Sequence, residues 1–359
     1  MASQSLLSLV RSQVVVDVDS MDPKVAERHT TETERFCDMT SNQAIVYSEA
    51  IKPARAAILQ TACGHAGTSA DLETRVADVL DLLTVSYATK VFPYLTGRVH
   101  AQTSPAFAYD AEATIAHAKR LVLLFELNNI PNSRVCIKIP ATPQSIIACQ
   151  ELERIGIRTL ATCLFSVPQA VAASQAGCLY VAPYFNELRV HFEPGVWKGY
   201  RNAAKEHPMA SVISDIVKVY KKIGSKTLVM PASIVSAAEV LALVSLHPDH
   251  LTLSGAVLDQ LASFQSTDAL PVDGLQSHQS GVPFTAQSTE NNLSNSSGLN
   301  VWETDFLANG ADALRQALAA DAEATRKLDD ALKIFGEMEE RAKVLIRAEL
   351  LRNSSGASA

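Results

Sequence analysis

Eight short runs rich in β-branched residues, most followed by a stretch of helical periodicity, fill about the first 260 residues, and few architectures accommodate that rhythm. The runs are "QVVVD" ending at Asp17, "FCDMT" at 36–40, "RVHAQ" at 98–102, "VCIKI" at 135–139, "RTLAT" at 158–162, "CLYVA" at 178–182, "TLVMPAS" at 227–233 and "HLTLS" at 250–254. Between them, "AEATIAHAKRLVLLFELNN" places Ile115, Ala118, Val122 and Phe125 on one stripe, a second long helix runs from Asp71, and shorter helices follow Pro143, Pro168, Pro208 and Ala237. Consecutive parallel strands need a crossover of a dozen or more residues, which a helix supplies. Eight such units predict an α/β fold, a (β/α)8 TIM barrel. A doubly wound open sheet shares the rhythm, but no GxGxxG follows an early strand.

Past Phe264 the chain turns to Ser, Gln, Asn, Gly and Pro, which reads as a long surface loop over 264–300 after a barrel domain at 1–263. A helical extension at 301–359 follows. Its Leu314, Leu318, Leu328, Leu332, Phe335, Met338 and Leu345 are spaced to dock one face on the barrel or on another subunit, so a homodimer and a folded-back tail read alike. A net charge of -7 excludes a nucleic-acid footprint. No apolar run approaches the roughly 18 residues a bilayer span needs, so no membrane partner is expected. Six scattered cysteines, without CxxC or zinc spacing, predict a reduced, cytoplasmic protein with no metal and no cofactor.

In a barrel, alternate strand residues point inward, and reacting groups gather at the C-terminal ends. That parity sends Cys136 and Lys138 of the fourth run to the interior, and Asp17 of the first. An interior lysine either pairs with a carboxylate or, losing the solvation of its charged form, becomes a nucleophile. A neutral amine attacks a carbonyl to give an imine, and the iminium is an electron sink for making or breaking a C–C bond. Asp17 is suited to move protons there, or else simply ends a strand. Asn42 is a substrate contact or a helix cap.

"VCIKIPAT", "LATCLFSVPQAVAASQAGCLYVAPYFNEL" and "VMPAS" resemble the transaldolase family, the class I aldolases that include transaldolase and the fructose-6-phosphate aldolases. The resemblance runs from "VVVD" to the helical tail and is strongest between Arg134 and Leu188. It implies a barrel with Lys138 as Schiff-base residue, Asp17 as strand-one carboxylate, Asn42 as substrate or imine contact, and Thr162 as the hydroxyl that orients the catalytic water. The departures are at least as informative. The strand-three glutamate of transaldolases is Gln102, the strand-five asparagine is Leu160, and the strand-six serine is Ala182. An amide orients water but exchanges no proton at a useful pKa. Tyr184 matches the tyrosine of the fructose-6-phosphate aldolase branch and becomes the acid/base candidate. At the phosphate end the resemblance puts Glu187 where the family has arginine, keeps Ser233, and places Val235 among the residues after it. Arg189 and Arg201 are the nearby cations able to compensate, unless each is solvated or paired with a glutamate, and His100 is expected to be an interior, satisfied histidine.

The expected activity is a Schiff-base aldolase or transferase on a small carbonyl substrate that is unphosphorylated or otherwise atypical. A transaldolase of sugar-phosphate metabolism and a non-catalytic scaffold barrel are the alternatives.

Overall fold

The computed structural model describes residues 4–66, 71–265 and 300–356; most of the expected 264–300 loop lies outside the described residues. Among the described residues there are seven regular strands: β1 (Val15–Val18), β2 (Val99–Gln102), β3 (Val135–Pro140), β4 (Thr159–Leu164), β5 (Tyr180–Pro183), β6 (Leu228–Val229) and β7 (His250–Leu253). All regular pairings are parallel, in the order β2-β3-β4-β5-β6, with β1 beside β7.

The segment 36–40 forms bridges instead of a full strand and is the eighth stave. Met39 pairs in parallel with Val18 on one side and Val99 on the other. Its amide donates to Arg98 O at 2.9 Å, and Val18 N–H donates to Asp38 O at 3.0 Å. On the far side, Asp249 N–H donates to Val229 O at 3.0 Å and Thr252 N–H to Pro231 O at 3.3 Å. These bonds join β6 to β7, so the barrel closes without an exposed edge.

Local chemistry sets the helix starts at the C-terminal end of the barrel. Asn42 caps the helix Gln43–Ala50, Thr142 caps Pro143–Arg154, Ser166 and Gln169 form a capping box on Val167–Gln175, and Ser236 caps Ala237–Val244. Gly97 is required where the chain enters β2. A Cβ there would lie 2.0 Å from Asp38 Oδ1 and 2.8 Å from Cys37 Sγ.

Deep in the barrel the filling is polar. Asp17 Oδ2 lies 2.8 Å from His250 Nδ1, Asp38 Oδ2 lies 2.8 Å from His100 Nε2, and the Tyr180 ring stands 5.5 Å from His100 and 5.2 Å from His250. Pairing each carboxylate with an imidazole makes such a layer tolerable in an interior.

The C-terminal helix Ala322–Gly356 is roughly 50 Å long by its rise per residue. It packs on its own chain, across the helices Gln43–Ala50 and Leu72–Val91 and the turns Leu188–His191 and Pro105–Phe107. Ala324, Leu328, Ala331, Phe335, Met338, Ala342, Ile346 and Leu350 form its buried stripe. Polar ties fix its course: Arg326 to Glu187 at 2.9 Å, Ser104 Oγ to Glu339 at 2.9 Å, and Arg347 to Glu73 at 2.6 Å. No described helix is long and apolar enough to cross a membrane.

Candidate active site

Lys138 sits near the C-terminal end of β3, 2% exposed, between Gln102 of β2 and Leu160 of β4 in register. It forms no ion pair with any described residue. Burial lowers its pKa, and the charge of Asp19 opposes that fall only in part. Its Nζ lies 5.9 Å from the centre of the Tyr184 ring. Leu160 and Ala182 are fully buried apolar neighbours in the barrel filling, so the amine has little solvent to hold its proton.

Past Leu160 the alternation of β4 breaks. The register with β5 shifts between Ala161 and Leu164, and Cys163 adopts a left-handed φ of 52°, an uncommon conformation for a residue with a Cβ. Two consecutive side chains thereby reach the same place. Thr162 Oγ1 is hydrogen-bonded to the Tyr184 hydroxyl at 3.2 Å, and the Cys163 thiol interacts with Lys138, Tyr184 and Thr162. Burial pushes the Cys163 thiol up to about 12 and raises the Tyr184 phenol well above its usual range. Both groups stay protonated near neutrality, so Tyr184 is a proton donor before it is a base.

The strand-one carboxylate that faces this group is Asp19. Its charge acts on Lys138, on Tyr184 and on His191, and its Oδ1 accepts from Thr40 Oγ1 at 2.6 Å. Asp17 lies one inward layer deeper, fully buried. It accepts the Asp38 N–H at 2.8 Å and pairs with His250. Burial raises the Asp17 pKa, while Asp17 holds that of His250 up against the effect of burial. Parity alone selects both aspartates, and depth is what separates them. Together with Cys37, Asp17 and His250 put three metal-competent atoms within 4.8 Å. The carboxylate and imidazole are already hydrogen-bonded at 2.8 Å, closer than the about 3.3 Å between two ligands of one tetrahedral zinc ion.

Asn42 does cap its helix, its Oδ1 accepting Ile45 N–H at 3.1 Å. Gln102 Nε2 donates to Gln43 Oε1 at 2.6 Å, and Gln43 Nε2 in turn donates to Thr103 O at 2.9 Å. His100, read as a satisfied interior histidine, pairs through Nε2 with Asp38, but its buried Nδ1 has no partner among the described residues.

At the far end, Ser233 has a left-handed φ of 59°, and its Oγ meets His191 Nε2 at 2.9 Å. His191 is open to the mouth, yet the protein around it lowers its pKa. Glu187 is paired with Arg326, whose side chain also reaches Glu323 and Asp330. Arg189 is paired with Glu193 at 2.9 Å. Val235 is half-buried, its N–H donating to Glu239. Lys327, one residue on from Arg326, points its ammonium at the Phe165 ring, 5.9 Å away. Asp19, Cys163, His191 and Arg326 were not singled out in the sequence. The shared parity of Asp17 and Asp19 was a usable signal for the first; the others depend on a bulge, a short turn and a helix 139 residues downstream of Glu187.

The arrangement holds a desolvated amine, a carboxylate on the adjoining face, and a phenol–hydroxyl pair that can carry a water. The profile of the family described as transaldolase/fructose-6-phosphate aldolase matches residues 16–341. A transaldolase of Schizosaccharomyces pombe is 33% identical over 235 residues, 65% of this chain and 71% of that protein. One of Alteromonas mediterranea is 30% identical over 315 residues, 87% and 90% of the two chains, and one of Shewanella amazonensis is 30% identical over 258 residues, 72% and 78%.

Proposed function

Because the chain belongs to the transaldolase/fructose-6-phosphate aldolase family and is an aldolase-like transferase, we propose that Lys138 is its imine-forming nucleophile toward a small, unphosphorylated carbonyl donor. The observation that carries this reading is a buried strand-end amine with no ion-pair partner among the described residues and a depressed pKa. Lys138 Nζ adds to the carbonyl carbon, and the carbonyl oxygen departs as water after two proton transfers. Asp19 takes the proton from the substrate hydroxyl at the bond to be cleaved. The C–C bond breaks, its electron pair passing into the enamine, and an aldehyde leaves. The enamine then attacks an acceptor aldehyde or is protonated, and water regenerates the amine. Tyr184, Thr162 and Gln102 hold that water, with Tyr184 supplying the proton. Asn42 lines the carbonyl side, and Leu160 and Ala182 keep the amine dry. Ser233 and His191 meet the far end of the substrate, beside Val235.

The preference against phosphate rests on Glu187, Arg189 and Arg326, each engaged in ion pairs. Two unit charges about 4 Å apart interact by about 4 kcal/mol at an effective dielectric of 20. An anionic substrate must compete with carboxylates already in place. One observation favours a second reading: Arg326 and Lys327 bring two cations from the C-terminal helix to this end, so a sugar phosphate that displaces Glu187 or Glu323 would find them.

Borohydride trapping tests the first reading. Dihydroxyacetone and a panel of aldehydes, reduced in the presence of the protein, are expected to leave an adduct on Lys138 by mass spectrometry and none in Lys138→Ala. No adduct with any carbonyl, or one unchanged in the variant, would favour a non-catalytic barrel. Robust turnover of fructose 6-phosphate with erythrose 4-phosphate would select the second reading.

A further inference from the structure

A cavity of about 470 Å³ lies outside the staves, between the helices Gln43–Ala50, Leu72–Val91 and Ala111–Leu127 and the C-terminal helix. That is within the range of small-molecule sites and about three times the ~150 Å³ cavity that takes up a benzene. Val46, Leu80, Phe107, Leu121 and several alanines make its walls mostly apolar.

The charged groups that border it are already paired. His117 Nε2 lies 3.0 Å from Asp81 Oδ1, Arg120 Nε 3.0 Å from Asp81 Oδ2, and Lys343 Nζ 2.8 Å from Glu339 Oε1. Ser104 Oγ donates to that same glutamate oxygen at 2.9 Å. An ionic ligand would have to break one of these pairs. Gln102, which also borders the cavity, carries a buried acceptor, Oε1, with no hydrogen-bond partner among the described residues.

Two residues connect this space to the chemistry. Asn42 and Gln102 line the cavity, and Gln102 is also the residue in register with Lys138, about 5 Å away across parallel strands. Resting on the imine-forming reading above, we infer that the cavity seats the uncharged, apolar tail of the carbonyl substrate. The tail is an aliphatic or aryl chain with one hydroxyl or amide donor for Gln102. The carbonyl is held at Lys138, and the chain passes Gln102 into the space closed by the C-terminal helix. The small carbonyl donor proposed above then carries an apolar extension of a few carbons in place of the polar chain of a compact sugar.

The test is a series of 1-hydroxy-2-ketones from three to nine carbons, trapped on Lys138 with borohydride and titrated for half-saturation. The half-saturating concentration is expected to fall roughly fourfold per added methylene until the cavity is full. Ala342→Phe and the milder Ala113→Leu, both at cavity-lining positions, are expected to flatten that dependence while circular dichroism stays native. Adducts on Lys138 with no length dependence would overturn the inference, as would a dependence untouched in a folded variant of either kind. Absence of an adduct at every length would instead bring down the imine reading, and this assignment with it.

Discussion

Exchanging each of two aspartates, Asp17 on β1 and Asp19 just past its end, for asparagine is expected to produce opposite defects. Asp17 is fully buried and hydrogen-bonded to His250 at 2.8 Å and to the Asp38 N–H at 2.8 Å. Removing one partner of a buried charged pair costs about 3–5 kcal/mol. Asparagine keeps part of the hydrogen bonding, which puts Asp17→Asn near about 3 kcal/mol. At roughly 2–4 °C per kcal/mol for a large domain, its Tm should fall by about 6–12 °C. Asp19 is half-buried and accepts one hydroxyl, from Thr40, which asparagine can still do. Asp19→Asn should therefore stay within about 1 kcal/mol of the parent, yet lose about 10²- to 10⁴-fold in kcat with its acid/base group. The partial reactions should separate as well. Asp19's charge raises the Lys138 pKa, so removing it lowers that pKa further. The acid limb of imine formation should move to lower pH while C–C cleavage fails. Thermal melts, steady-state turnover and pH-resolved borohydride trapping on both variants give the answer. Loss of turnover at an unchanged Tm in Asp17→Asn, with an active Asp19→Asn, would refute the assignment of depth to function.

In the parent protein the attacking amine must be neutral, and burial depresses its pKa. The rate of imine trapping should thus rise with pH and level off below the about 10.4 of an ordinary lysine; a limb at or above that value contradicts the desolvated site. Tyr184→Phe removes the phenol bonded to Thr162 at 3.2 Å and is expected to cut kcat about 10²-fold or more with little change in trapping. Gln102→Glu restores the carboxylate of the resembling family but sets it against Gln43 Oε1, 2.6 Å from the present amide nitrogen. Chemical denaturation should show a loss of about 1–3 kcal/mol that shrinks as acid protonates the new group. His191→Ala takes away the imidazole 2.9 Å from Ser233 Oγ and should raise KM several-fold with kcat nearly preserved; an equal fall in both kcat and kcat/KM would place His191 in the chemistry instead.

Much of the barrel was legible because hydrophobic period and strand parity are local properties. Val135 to Ile139, for example, alternate around an interior Lys138 whatever lies elsewhere in the chain. The segment 36–40 was read as a strand on composition, but it meets its neighbours through isolated parallel bridges at Phe36 and Met39 rather than a continuous ladder. Depth along the barrel axis was not legible. Asp17 and Asp19 share parity, and only the positions of His250 and Lys138 on other staves distinguish them. The neutralisation of Glu187 was hidden for a related reason: its partner arrives on the C-terminal helix, and pattern analysis of the loop after the sixth strand run offers only nearby arginines, of which Arg189 bonds Glu193.

The shifted register of β4 means that the site depends on a count of residues as well as on their identities. Between Ala161 and Leu164 the stave spends three steps against two on its neighbour, from Val181 to Pro183. A homologue lacking one residue there could retain lysine, threonine and tyrosine and still present only one of two successive side chains to the amine. Aligning such chains by motif would score them as equivalent. Counting the spacing from Lys138 to the tyrosine, 46 positions here, would tell them apart, so loop-length variation at this point is a marker of altered chemistry that substitution patterns miss.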